Sequence, residues 1–310
     1  MIQEKIIVGQ GTKYPLNGCL TMPDQAEGLI PAVVLVHGSG ASNMDEKVGK
    51  LTPFKDLAEG LALHGIACLR YDKRSFAHGF KLLREKEVTV WKETIEDALL
   101  ATRLLRQDSR IDPERVYLLG HSMGAMLAPR IDAEGGQYAG LILMAGSPRK
   151  LEEIMADQNE AAYGLMNKLL QKIAGKQIRK MMGMFEGMYE MTDEEAKTKK
   201  MGGGTTLYYF KEMGEHDAPS YLTKLTKPLL ILQGEQDFQA TVEKDFAGYE
   251  KLVGDRDNVT MKVYEGLNHA FVPSIYGKNI MKAKQEYNVE RHIGEDVIGH
   301  IAGWIHSLKR

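Results

Sequence analysis

Two cysteines in 310 residues are too few for a disulfide scaffold. Cys19 and Cys68 each fall inside a strand-like run, and both are expected as buried, reduced thiols of a cytoplasmic protein. Neither has a second cysteine or a histidine at ligand spacing, so no metal site is expected. Long apolar runs are missing too. They reach about seven residues, against the roughly 20 that a bilayer requires. The opening Met-Ile-Gln-Glu-Lys-Ile-Ile-Val has no basic stretch followed by an apolar one, as a signal peptide would. Charge of one sign is also absent. The net charge is −2, and the densest basic run, residues 197–200, is short and sits among acidic residues. Nucleic acid and membrane surfaces are therefore not expected partners. No internal repeat or low-complexity tract occurs. What remains is the composition of a globular enzyme, long enough for one large core and a subdomain. The oligomeric state is open, a homodimer included.

Along the chain, short β-rich runs alternate with amphipathic stretches. Residues 4–10 and 13–22 read as two antiparallel strands around Gly11. Residues 31–36 form a continuous apolar run, which suits a strand covered on both faces. Residues 53–64 read as a helix, 66–71 as a strand and 93–107 as a helix, and Asp112-Pro113 opens a turn. Strands at 116–120, 141–144, 229–232 and 259–264 come next, with helices at 122–131, 242–252 and 293–308. This order predicts an α/β fold with a mostly parallel sheet between helices. Residues 148–222 break the alternation. Apolar positions recur there at helical spacing, from Leu151 to Ile173 and from Ile178 to Tyr189, and Gly202, Gly203 and Gly204 punctuate the end of the second helix. The expected organisation is a core of residues 1–147 and 223–310 with a helical lid insertion at 148–222.

Gly120-His121-Ser122-Met123-Gly124 has the form G-x-S-x-G between an apparent strand and a helix. So tight a turn strains the serine backbone, and the flanking glycines remove side chains that would collide with neighbouring backbone. Ser122 then projects at a helix N-terminus, where unpaired N–H groups meet developing negative charge. His121 is expected to pack rather than to act as the base. An acyl-transferring serine also needs preorganised donors for an oxyanion. Met123 N–H supplies one, and Ser39 N–H, in His37-Gly38-Ser39-Gly40 after the apolar strand, is the expected second.

A hydroxyl at neutral pH needs a base, and the base needs a group that holds its tautomer. With the nucleophile at such an elbow, the acid and then the base come later in chain order. Asp237, in Gly234-Glu235-Gln236-Asp237 after a strand, is the expected acid, with Glu235 a weaker alternative. Of nine histidines, His269 alone combines the order, a loop position and a preceding strand.

With these pieces placed, the chain resembles the α/β-hydrolase superfamily over nearly its whole length. It looks closest to bacterial dienelactone-hydrolase-like and prolyl-oligopeptidase-like esterases, cinnamoyl esterases among them. The stretches that carry the likeness are 34–40, 69–74, 111–116, 120–124, 234–237 and Asn268-His269. The resemblance implies an eight-stranded, mostly parallel sheet, no cofactor, and hydrolysis through an acyl-serine. Two departures bound it: dienelactone hydrolases proper carry cysteine where this chain has Ser122, and no room exists for a propeller domain.

The segment 148–222 holds nine of the seventeen methionines, a side chain suited to adaptable apolar surfaces. An apolar lid over Ser122 favouring aromatic or medium acyl groups is expected, with Tyr208 and Tyr209 as contacts. Arg74 and His78, after the strand at 66–71, are further candidate contacts. The expected partner is a small-molecule ester. A thioesterase, a small peptidase or amidase, and a non-catalytic binding protein of the same fold are the alternatives.

Overall fold

The computed structural model describes residues 1–25, 28–82, 84–85, 87–201 and 205–308. Eight strands form one sheet: β1 (Ile2–Val8), β2 (Leu16–Met22), β3 (Ile30–Val36), β4 (Ala67–Tyr71), β5 (Ile111–His121), β6 (Leu141–Met144), β7 (Leu229–Gly234) and β8 (Val259–Tyr264). Their spatial order is β1-β2-β4-β3-β5-β6-β7-β8. The β1–β2 and β2–β4 pairs are antiparallel, and all others are parallel.

β3 and β6 are apolar at every position because both faces are covered. Along β3, Ala32, Val34 and Val36 enter one core, while Val33 and Leu35 enter the other. Helices α1 (Pro53–Leu63) and α12 (Glu295–Ser307) cover the second face. Helices α3 (Glu96–Gln107) and α4 (Met123–Ile131) cover the first. α2 (Arg74–Leu82) lies between α1 and α3 in sequence, and α10 (Ala247–Val253) and α11 (Ala283–Tyr287) come after β7 and β8.

Between β6 and β7 the described residues form helices and no named strand: α5 (Leu151–Gly164), α6 (Lys168–Met182), a 3-10 turn at Met188–Glu190, α7 (Asp193–Thr198), α8 (Leu207–Glu215) and α9 (Ala218–Leu222). The three glycines read as a helix stop, 202–204, lie outside the described residues. Three local differences from the sequence reading have simple causes. Asp112 and Pro113 lie inside β5 rather than in a turn before it. Register with β3 shifts there, and pairing with β6 begins only at Leu118, so a proline with no N–H interrupts little. The helices expected from 93 and 242 both open with a π turn, at Trp91–Ile95 and Val242–Phe246.

Strand order reverses between β3 and β5, with β4 and β2 to one side and β6, β7 and β8 to the other. The loops leaving β3 and β5 therefore diverge and open a crevice at their carboxyl ends, where open α/β sheets bind ligands. Both candidate backbone donors and Ser122 sit at this point.

Candidate active site

Ser122 joins β5 to α4 with φ 54° and ψ −118°, a conformation that ordinary side chains avoid. The glycines around it are obligatory on steric grounds. A Cβ on Gly120 would stand 2.3 Å from Gly124 O, and one on Gly124 would stand 2.1 Å from Val36 O. A Cβ on Gly38 would press on Ser122 Cβ at 3.0 Å, so the loop after β3 lies directly against the serine.

Asp237 comes just after β7 and is fully buried. Its Oδ2 accepts from His269 Nδ1 at 2.7 Å and from Gln233 Nε2 at 2.8 Å. Its Oδ1 accepts from Gln239 N at 2.7 Å and Ala240 N at 3.0 Å. With its ring proton on Nδ1, His269 has a free lone pair on Nε2. Its loop is pinned from below: Asn268 donates to Glu286 at 2.8 Å and accepts from Ala270 N at 3.0 Å, and Glu286 pairs with Arg291. Glu235, the weaker acid, accepts from Gly266 N at the surface of the turn and does not touch His269.

Ser122 and His269 line one cavity of about 730 Å³, together with Ser39, Met123 and Ala145. Ser122 Oγ makes no hydrogen bond to any described residue, nor do Ser39 N–H and Met123 N–H. Apolar walls come from Leu82, Val88 and Met126 of the core and from Leu151, Ile154, Met155 and Phe210 of the segment between β6 and β7.

Of the four side chains expected at the substrate, only Tyr209 lines this cavity. Arg74 is buried and turned the other way, clamped to Asp97 and Glu96 of α3. His78 bonds Pro15 O at 2.8 Å and stacks on Tyr14 at the molecular surface. Tyr208 lies one residue from Tyr209 on α8, about 100° around the helix, and meets Lys197 over its ring. The structure does not bring Arg74, His78 or Tyr208 to the Ser122 cavity.

Sequence reasoning missed the charged groups behind the loop. Glu46, at φ 51°, accepts from Gly38 N at 2.7 Å. Its other oxygen lies 2.9 Å from His121 Nδ1, off the hydrogen-bond line. His121 Nε2 reaches His269 O at 2.8 Å. Burial disfavours charge on His121, yet the Glu46 carboxylate and the His269 carbonyl raise its pKa above the usual histidine value. Burial opposes charge on Glu46 as well, but His121, His37 and the Gly38 N–H together hold it below the usual carboxylate range. His121 thus ties the elbow to two loops through Glu46 and His269 O, more than the packing residue expected. On the other side of Gly38, the buried Lys73 Nζ donates to Gly38 O at 2.8 Å and lies 3.6 Å from Glu93.

A sequence profile describing the serine aminopeptidase S33 family matches residues 30–273. The chain belongs to that family. The chain is also 38% identical over 304 residues to esterase EstD of Thermotoga maritima, an alignment covering 98% of this chain and 67% of that one. Solved structures share the α/β-hydrolase fold at low identity. Est1E from Butyrivibrio proteoclasticus superposes with a TM-score of 0.57 at 15% identity, covering 98% of this chain and 99% of that one. The proline iminopeptidase of Mycobacterium smegmatis gives 0.59 at 15% identity, with 98% of each chain covered. Among the described residues no group of three or more histidine, cysteine, aspartate or glutamate side chains could hold a metal ion. No helix among them is long and apolar enough to cross a membrane.

Proposed function

We propose that this protein is a serine hydrolase that cleaves carboxylic esters with Ser122 as nucleophile, His269 as base and Asp237 as the group that orients it. The observation that carries this reading is the 2.7 Å His269–Asp237 bond, set on the cavity that the strained Ser122 lines. His269 Nε2 takes the hydroxyl proton as Oγ attacks the ester carbonyl. Ser39 and Met123 N–H groups receive the oxyanion. Collapse expels the alcohol, which takes the proton from His269 and leaves an acyl-serine. Water then repeats the sequence, releasing the acid and freeing Ser122.

Residues 148–222 act as the lid, since their side chains supply one wall of the cavity. The apolar lining suits aromatic or medium aliphatic acyl groups. The relationship to an esterase at 38% identity supports an ester over an amide. Free, buried Cys19 and Cys68 fit a cytoplasmic setting.

The test is a panel of p-nitrophenyl esters, acyl-CoA thioesters and aminoacyl amides, assayed with the parent and Ser122→Ala. Ester turnover that dominates the panel and falls by about 10⁴ or more in the variant, with substrate binding kept, is expected. A preference for thioesters or amides would move the assignment within the same chemistry. Undiminished turnover by Ser122→Ala would end it.

A further inference from the structure

A trans peptide is one rigid plane, with its C=O and the next N–H pointing in opposite directions. The oxyanion donor Ser39 N–H shares its plane with the Gly38 carbonyl. That carbonyl oxygen receives Lys73 Nζ at 2.8 Å, from a side chain only 2% exposed. Anchoring the oxygen fixes where the N–H points. An ammonium on the oxygen also draws electron density through the amide and makes the N–H a stronger donor, the cooperative effect of chained hydrogen bonds in a poorly solvated site.

The lysine is itself constrained. Its backbone N–H bonds Ser42 O at 3.0 Å, in the same loop. Its counter-ion Glu93, 8% exposed, stands 3.6 Å from Nζ. Glu93 accepts the Tyr209 hydroxyl at 2.7 Å, and that hydroxyl also lies 3.6 Å from Met123 Sδ. Although burial opposes it, Lys73, Ser75 and Tyr209 hold Glu93 below the usual carboxylate range.

We propose that Lys73 is a positioning residue for the reaction: held by Glu93, and through it by Tyr209 of the lid segment, it orients and polarises the Gly38–Ser39 peptide so that Ser39 N–H meets the oxyanion. This rests on the acyl-serine reading of Ser122.

A lysine that merely fills space would affect folding and leave the chemistry alone. A lysine that aims a donor would affect the transition state. Lys73→Met keeps the stem and removes the ammonium, but it strands Glu93, so Lys73→Met/Glu93→Gln is made beside it as a neutral pair. With a short p-nitrophenyl ester, kcat should fall roughly 10- to 100-fold, less than or equal to the loss of a whole oxyanion donor, with KM within a few-fold of the parent. Affinity for a boronic acid that mimics the tetrahedral intermediate should fall by the same factor. Lys73→Arg should recover part of both. A folded double variant with parental kcat and parental boronate affinity overturns the proposal. So does a drop in kcat with boronate affinity unchanged. Ser122→Ala, assayed in parallel, separates the two levels: if it is inactive while the Lys73 variants are unaffected, only this inference falls, and if it is active, the acyl-serine reading falls with it.

Discussion

Asp237→Asn changes one atom at the centre of the site, and the hydrogen bonds around that atom set the size of the effect. The carboxylate accepts four hydrogen bonds with none of its surface exposed. An asparagine can accept at one end only. If its oxygen stays on the Oδ1 side, Gln239 and Ala240 N–H remain satisfied, and its NH2 then faces Gln233 Nε2 and His269 Nδ1. Gln233 cannot turn round to accommodate this, because its Nε2 also donates to Ala240 O at 2.8 Å. If the asparagine flips instead, two buried backbone N–H groups lose their acceptor at about 1–3 kcal/mol each. The cheaper adjustment is at His269, whose imidazole can move its proton from Nδ1 to Nε2 and accept from the amide. That tautomer presents a proton, not a lone pair, to Ser122. The expected result is a fall in kcat of about 10⁴, near 5 kcal/mol of transition-state stabilisation, with KM changed only a few-fold. Initial rates on a short p-nitrophenyl ester at about pH 7.5, near the optimum expected for a histidine base, measure it, with circular dichroism to confirm folding. An asparagine variant within tenfold of the parent would refute the assignment of Asp237 and the tautomer argument together.

Gly124→Ala should destabilise by about 3 kcal/mol or more, because its Cβ would meet Val36 O at 2.1 Å and force β3 from α4. Gly303→Ala on α12, with open space around its Cβ, should instead be neutral or stabilising by roughly 0.5–1 kcal/mol; urea titrations of both that give equal midpoints would contradict the close-approach argument. Burial lowers the pKa of His37 to about 4 from 6.5. Between these values the unfolded chain binds a proton there that the folded chain does not, so His37 should lower stability as pH falls from 6.5 to 4, by up to roughly 3 kcal/mol. Replacing it with Asn should flatten the slope of unfolding free energy against pH over that window, and an unchanged slope would show that His37 is not the group responsible. His121, whose pKa is raised, acts with the opposite sign: its stabilisation is present below the ordinary histidine pKa and is lost as pH rises through its folded value.

The parts of the site that sequence reveals are those with a local steric or periodic signature. Gly120 and Gly124 are legible because only glycine fits two residues either side of so sharp a turn. β3 is legible because a strand covered twice has no polar face. Asp237 and His269 are legible from chain order and from strands β7 and β8 before them. Side-chain direction has no such signature. Arg74 leaves β4 at the expected edge, but its partners Glu96 and Asp97 lie on α3 and turn it away from Ser122. Tyr208 and Tyr209 differ by one helical step, and only the second faces the cavity. Glu46, far from His121 in sequence, meets both it and Gly38 only because the loop after β3 folds back over the elbow.

Three acid–base pairs lie buried around one serine: Asp237 with His269, Glu46 with His121, and Lys73 with Glu93. Pairs of this kind add little to stability, because desolvation offsets the attraction, and apolar residues of similar volume often do as well. Their placement gives a better reason for their presence. The first holds a ring, and the other two grip the N–H and the C=O of Gly38 at 2.7 Å and 2.8 Å. A glycine pressed against Ser122 has no side chain by which packing could hold it, and its peptide planes would rotate more freely than those of any other residue. Charge-assisted bonds to its two backbone groups supply the constraint that packing cannot. The same logic explains the charged groups at Gly38: a neutral donor or acceptor would hold its peptide less strongly, and the error allowed to an oxyanion donor is a fraction of an ångström. Around this elbow, buried charge is the means by which a flexible residue is given a fixed direction.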